Sequence, residues 1–346
     1  MACVWIEGFE THRISTQFSR KYASFSGNYP SAAGRVFGTS GNIQSTVAVT
    51  PTFASDNTFV MGFGFRINSF QSITANQGWY VETGTAEQCH WEVDEHATLG
   101  FRFILYRGAT SVATSNYFDY GVWHYFEWKI TVRTGTNGAY ELRHNGVLDI
   151  SGTSVNLANN ATDGWDVQAV RFTQNLGTNL RLDDMYICNG TGAKNNDFLG
   201  PSIVEGVLPN AEGATIQWTP ISGTDNSANV DDIATSSPDD SGAGGYNYSD
   251  TNAQRDLYDY QDLTQITGTI HAVQVGTQLA MGAAGTRVVK TKYRDPDTTV
   301  VDGASHTVDS TSYDEFTETF DNNPHSAVAW DVTDIDSGQF GIEVVS

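Results

Sequence analysis

WHYFEWKITVR, residues 123–133, is the stretch that decides the fold. Phe126, Trp128, Ile130 and Val132 fall on one side of an extended chain, and Glu127, Lys129, Thr131 and Arg133 on the other. Period-two alternation means a strand. The turn TGTNG follows, then AYELRH, the pair Asn145-Gly146, and VLDIS. Asn-Gly between strands favours a tight hairpin, because both residues accept positive φ. The spacing predicts an antiparallel meander whose strands are each wet on one side.

Upstream, NTFVMGFGFRIN (57–68) repeats the pattern: Phe59, Met61, Phe63, Phe65 and Ile67 share one face, while Val60, Gly62, Gly64 and Arg66 share the other. Glycines inside a strand let another layer or a ligand approach the backbone. Downstream, QAVRFTQ (168–174) and LRLDDMYIC (180–188) read as strands joined by NLGTN. A polar stretch follows, and new strands are expected around SIVEGVLPN (202–210), in 267–281 and 286–294, and at QFGIEVV (339–345). Residues 222–256, rich in Ser, Gly, Asp and Asn, have no periodicity and read as a long acidic loop. The expected class is all-β. A sandwich over 1–190 and a linker over 191–203 are followed by a second, smaller β-sandwich over 204–346.

Composition agrees with many short aromatic strands joined by small polar turns: 12% aromatic, 17% charged, and 34 glycines among 346 residues. The net charge of −22 is uneven. Residues 1–200 hold 17 acidic and 13 basic residues, whereas 201–346 hold 23 and 5. Such an acidic second half repels phosphate backbones and anionic lipids, so no nucleic-acid partner and no membrane insertion are expected. The start, MACVWIEGFE, lacks a basic segment and a long apolar run, so no signal peptide is expected. Cys3, Cys89 and Cys188 form no CxxC pair. A chain made in the cytoplasm without a signal keeps its thiols reduced.

WHYFEWKITVR, AYELRHNGVL and LRLDDMYIC together resemble the closing strands of concanavalin A-like jelly rolls of the laminin-G type, and WIEGFE resembles the first strand, which pairs with the last. Over the whole chain, NNDFLGP, VEGVLPNAEG, QWTP and AWDVTDIDSGQFGIEVV are similar to a group of tailed-bacteriophage structural proteins. This resemblance implies a virion component made in the host cytoplasm, a non-catalytic tail-fibre or tail-tip protein with host-glycan binding. Its partners would be other virion proteins, copies of itself such as a trimer, and a host cell-surface polysaccharide. Capsid decoration or a head fibre is the alternative position on the particle.

Asp183 and Asp184 would lie on the jelly roll's terminal strand. One reading has one carboxylate in solvent and the other accepting loop amides. The other is a calcium site, as some laminin-G modules hold calcium near a glycan groove. Calcium needs six to eight oxygens, and the sequence does not supply the rest.

CHWEVDEH (89–96) puts His90, Glu92, Asp94 and His96 on one strand face and Cys89, Trp91 and Val93 on the other. Imidazoles and carboxylates two residues apart can ligate a metal. Laminarinase- and lichenase-like enzymes on this jelly roll carry E-x-D-x-E, with two carboxyl groups about 5–5.5 Å apart for retention. Glu92-x-Asp94 fits, but His96 replaces the third carboxylate, which argues against a β-glucanase-like hydrolase. A polar strand face, in solvent or in a subunit contact, is the simpler reading. Among the aromatics between 79 and 125, Tyr117, Tyr120 and Tyr125 sit among polar neighbours and are the candidates for sugar stacking. GxxxxGK[ST], HExxH and GxSxG are missing. DPDTTVVDG (295–303) and DVTDIDSG (331–338) read as Asp-supported turns.

Overall fold

The computed structural model describes residues 3–12, 15–28, 31–41, 44–53, 56–72, 78–83, 86–159, 167–174, 180–190, 193–231 and 245–346. The chain divides into two compact units, one made of residues 1–9 and 22–204, the other of 10–21 and 205–346. Both are built of antiparallel strands.

The first unit's strands are β1 (Cys3–Glu7), β2 (Ser24–Asn28), β3 (Ser31–Ala33), β4 (Thr39–Gly41), β5 (Gln44–Val49), β6 (Thr58–Ile67), β7 (Gly78–Thr83) and β8 (Ala86–His96). They continue with β9 (Gly100–Arg107), β10 (Thr110–Thr114), β11 (His124–Thr131), β12 (Gly138–His144), β13 (Val147–Val155), β14 (Ala169–Gln174) and β15 (Leu180–Asn189). Among the described residues, eight strands form one sheet in the order β13-β12-β11-β6-β15-β4-β3, with β1 also on β15. Seven form the other, β10-β9-β8-β7-β14-β5-β2.

This is the sandwich that the alternation predicts. Phe59, Met61, Phe63, Phe65 and Ile67 of β6 and Phe126, Trp128 and Ile130 of β11 are all fully buried. They meet Trp79, Trp91 and Phe103 from the opposite sheet: Phe63 stacks on Trp79 at 4.8 Å, Trp91 lies 5.2 Å from Trp128, and Phe103 meets Phe126 edge-on at 4.8 Å. Offset and edge-to-face pairs of this kind are worth about 0.5–1.5 kcal/mol beyond their burial. The first strand pairs with the last as the motif implies, Cys3 opposite Cys188. All three cysteines are buried.

One strand face departs from expectation. Glu127, on the polar side of β11, is only 1% exposed. From Asp197 on, the stretch expected as a linker lies back on this outer face, so the sheet is not wet there.

The second unit contains β16 (Pro209–Ile216), β17 (Thr219–Pro220), β18 (Asn247–Tyr248), β19 (Arg255–Tyr260), β20 (Val273–Leu279), β21 (Arg287–Arg294), β22 (Val300–Val308), β23 (Asp314–Phe320) and β24 (Gln339–Val344). A five-stranded sheet runs β16-β19-β24-β21-β22, beside the pairs β17-β18 and β20-β23. Tyr293, Trp330, Ile335, Ile270 and Phe340 form its aromatic core, against which Val273, Val275 and Phe320 of the β20-β23 pair also pack. Helix α1 (Ser15–Lys21) belongs to this unit: His12 Nε2 meets Glu315 at 2.6 Å and Arg20 donates to Gln278 at 2.9 Å.

Three expectations change here. Residues 202–208, expected to open a new strand, hold none, and the first strand of this half, β16, begins at Pro209. DVTDIDSG is not only a turn, because helix α2 (Val332–Asp336) starts in it, capped by Asp331 with Asp334 in a reciprocal capping box. Nor is 222–256 simply a loop. Residues 232–244 lie outside the described residues, but those on either side are ordered around Asp256, which is fully buried. Asp256 accepts hydrogen bonds from the Gln217 and Trp218 amides at 2.7 and 2.8 Å, the Asn226 amide group at 2.7 Å and the Tyr258 hydroxyl at 2.8 Å. Buried polar groups need such partners, and Asn226 of the Ser- and Asn-rich stretch is one of them. No helix among the described residues is long and apolar enough to cross a membrane.

Candidate functional site

Asp183 and Asp184 are adjacent, so in a regular strand their side chains would point to opposite faces. A bulge between Asp183 and Tyr186 breaks the register against β6, and Asp184 sits in the left-handed region with φ 50°. Aspartate tolerates that conformation better than most residues. Both carboxylates are buried, 1% and 3% exposed, and both meet Arg35. Asp183 accepts the Arg35 and Asp184 amides, at 2.5 and 3.0 Å. Asp184 accepts the Arg35 guanidinium at 2.7 Å and the Val204 amide at 2.8 Å. Neither faces solvent, which corrects the half-solvated reading. Burial, then the neighbouring Asp184 charge, pushes the Asp183 carboxyl up to about 8, and burial raises Asp184. A guanidinium already stands where calcium would sit, so this donor set does not fit the ion.

The same outer face explains the glycines of GFGF. A Cβ on Gly62 would clash with the edge of the Tyr186 ring, and one on Gly64 would press on Arg35 Cδ at 2.8 Å. Tyr186 donates to Glu127 at 2.6 Å, and Glu127 also accepts the Gly200 amide at 2.8 Å. Tyr125 is 1% exposed, with its hydroxyl on the Asp184 carbonyl at 3.2 Å and Arg35 over its ring at 4.8 Å. The expectation of an exposed sugar-stacking Tyr125 is therefore corrected, since the covering chain and Arg35 take up its faces.

The seven-stranded sheet carries the other candidates. Cys89, Trp91 and Val93 point into the core as the alternation requires. On the outer face, Ser111, Tyr106, His90, Tyr80, Arg171 and Val49 stand in register across β10, β9, β8, β7, β14 and β5. Tyr106 stacks on His90 at 5.2 Å and 16°, His90 on Tyr80 at 4.6 Å and 23°, and Arg171 lies 4.0 Å over Tyr80. Acids flank the row. His90 Nδ1 is 2.7 Å from Glu87 and its Nε2 3.3 Å from Glu92, while Arg171 holds Glu82 at 2.5 Å and lies 3.6 Å from Glu87. Burial, then Glu92 and Glu87, raises the Tyr80 hydroxyl to about 12. His90 and Tyr80 are buried, whereas Tyr106 and Glu92 remain half-exposed.

At the far end of β8, Asp94 is held by Arg102 at 2.7 Å, and Arg102 also covers the Tyr117 ring at 4.7 Å. His96 is exposed, with its Nδ1 accepting the Thr98 and Leu99 amides, each at 3.2 Å. Tyr120 donates to the Gly100 carbonyl at 2.9 Å. The structure thus brings His90, Glu92, Asp94 and His96 to one face, with Tyr117 beside Arg102 and His96, sets Tyr120 against Phe101 at the turn end of β8, and leaves Tyr125, Asp183 and Asp184 on the other sheet. Sequence reasoning counted Tyr80 and Tyr106 among the aromatics without choosing them, and missed Arg171 and Arg102. Only strand register could have found them, because they come from β7, β14 and β9.

A metal reading of β8 meets the same obstacle as at Asp183, since each ring or carboxylate that would ligate is engaged within the protein. Among the described residues, Asp295, Asp297 and His325 are a His/Asp group with ligand atoms within 4.8 Å of one another. There Asp295 accepts the Tyr293 hydroxyl and the Asn323 amide group, and His325 pairs with Asp297 at 2.9 Å, which ties the turn together.

No protein-family model and no curated protein matches the chain. Among solved structures, it is similar over 53% of its length to alginate lyase Aly36B, with 10% identity, 92% of that chain covered and a TM-score of 0.34, in a complex with alginate tetrasaccharide. Domain 4 of AbnA, an extracellular arabinanase from Geobacillus stearothermophilus, matches 47% of the chain at 13% identity, with 76% of that chain covered and a TM-score of 0.34. The Emp46p carbohydrate recognition domain matches 48% at 10% identity, with 88% covered and a TM-score of 0.32.

Proposed function

We propose that the chain is a non-catalytic structural protein of a tailed-bacteriophage particle, and that the outer face of its seven-stranded sheet contacts a host-surface glycan. The observation that carries this reading is the row from Tyr106 to Arg171 with its flanking acids. Its half-exposed rim offers an aromatic edge, a guanidinium and carboxylates, the groups that stack on sugar rings and bond their hydroxyls. The acids a glycosidase would need free are committed: Glu92 to His90 and Asp94 to Arg102. His96 stands where the motif requires a third carboxylate. The virion assignment is supported by the sequence resemblance of NNDFLGP, VEGVLPNAEG and the closing AWDVTDIDSGQFGIEVV.

Retention of the protein on immobilised host polysaccharides tests the reading. Tyr106→Ala and Arg171→Ala should weaken retention, and Lys129→Ala, on the other sheet, should leave it unchanged. Equal retention of all four proteins, parent included, would remove this face from the account.

A further inference from the structure

Arg66 and Arg181 are direct cross-strand partners on β6 and β15. Both lie on the sheet's outer side, since their chain neighbours Phe65, Ile67, Leu180 and Leu182 are buried in the core. Like charges placed directly opposite each other destabilise a sheet. Three other arginines of this unit find acids: Arg35 meets Asp184, Arg102 meets Asp94 and Arg171 meets Glu82. Among the described residues, Arg66 and Arg181 do not. Arg66 Nε and Arg181 NH1 are buried donors with no hydrogen-bond partner. Asp183 shares the face two residues along, but its oxygens accept the Arg35 and Asp184 amides. The sequence following β6 (68–77) and preceding β15 (175–179) holds no acidic residue. Burial and the Arg66 charge hold the Arg181 guanidinium below its ordinary range.

We propose that Arg66 and Arg181 form an oxyanion-binding site, taking one carboxylate, sulfate or phosphate group between their guanidinium forks. A planar fork matches such oxygens two at a time, and a bound anion would satisfy both buried donors and remove the repulsion across the pair. This site lies on the opposite sheet from the proposed glycan face, so either can fail alone.

Calorimetric titration with sodium sulfate, and separately with sodium glucuronate, against a chloride background of matched ionic strength tests the site. Saturable binding of at least one is expected, with the better of the two telling a tetrahedral source from a sugar carboxylate. Arg66→Gln plus Arg181→Gln should abolish it, and Arg66→Lys, which keeps the charge but loses the fork, should weaken it roughly tenfold. In chloride the double variant should melt no lower than the parent. Absence of saturable binding to both salts, binding unchanged in the double variant, or a lower melting point for that variant in chloride would each overturn the proposal.

Discussion

Glu127 accepts the backbone amide of Gly200 at 2.8 Å, 73 positions further along the chain. Through this bond and its neighbours, Leu199 to Tyr186 at 3.1 Å and Val204 to Asp184 at 2.8 Å, the segment expected as a linker becomes part of the first unit. Replacing Glu127 by Ala leaves the Tyr186 hydroxyl and the Gly200 amide without their acceptor. Loss of a buried polar partner costs about 1–3 kcal/mol per group left unsatisfied, so urea unfolding should show a destabilisation of that order. The same variant should open 197–204 to limited proteolysis, a stretch expected to resist cleavage in the parent.

Gly62 tests the close approach of Tyr186 to the β6 backbone. Alanine there must displace the ring, an overpacking that costs about 1–3 kcal/mol. Gly135, with nothing within 4 Å of an added Cβ, is not a fair control because its φ of 62° already disfavours alanine. Ala139→Gly on β12, two strands away in the same sheet, is a better one and should cost less, which parallel denaturant curves would reveal.

Asp183 predicts a pH dependence. The unfolded chain gives up this proton near 3.8 and the folded chain near 8. The protonated form is therefore the one the fold favours. Its contribution is fully present below about pH 4 and is lost as pH rises through about 8. Asp183→Asn should flatten the stability profile across that window, and an unchanged slope would assign the dependence to other groups.

His124 and His144 act in the opposite sense. Their ring nitrogens lie 2.9 Å apart, and burial lowers both, with the His124 charge adding to the effect on His144. The unfolded chain takes up these protons near 6.5 while the fold resists them, so stability falls as pH drops below that value. His144→Gln should soften this acid-side loss, as read from melting temperatures between pH 5 and 7, a window of about two units around the ordinary histidine value.

In the second unit, Asn226→Ala removes the donor to Asp256 at 2.7 Å and to the Trp218 carbonyl at 2.9 Å. A loss of about 1–3 kcal/mol is expected from the buried acceptors left behind. Wild-type stability in the variant would mean that the Asn-rich segment does not brace the sheet.

Strands such as β6, β11, β15, β21 and β24 were legible because alternation writes core positions directly into the sequence, as in FVMGFGF and WKITV, whereas β19, β22 and β23, whose residues are largely polar, were not expected. The Asn-Gly hairpin between β12 and β13 was legible for the same local reason: Asn145 and Gly146 both have positive φ. What the sequence did not reveal depends on distant parts of the chain. Glu127 and Tyr125 read as wet because nothing local announces that residues 197–204 and Arg35 cover them. Asp183 and Asp184 read as a solvated or calcium-binding pair because a bulge, which brings both to one arginine, has no sequence signature. Residues 222–231 and 245–256 read as loop because a buried hydrogen-bonded network uses the same polar residues as an exposed turn. On β8, the face shared by His90, Glu92, Asp94 and His96 followed from period two, but the stack they join is set by strand order.

The most direct test of the account is the length of a host-surface polysaccharide incubated with the purified chain, measured by size-exclusion chromatography beside a binding assay. The account predicts that polymer is bound and its length unchanged, and that Glu92→Gln plus Asp94→Asn shifts stability by no more than about 1 kcal/mol, the usual worth of half-exposed ion pairs. Shortening of the polymer by the parent chain, abolished in Glu92→Gln, would contradict it.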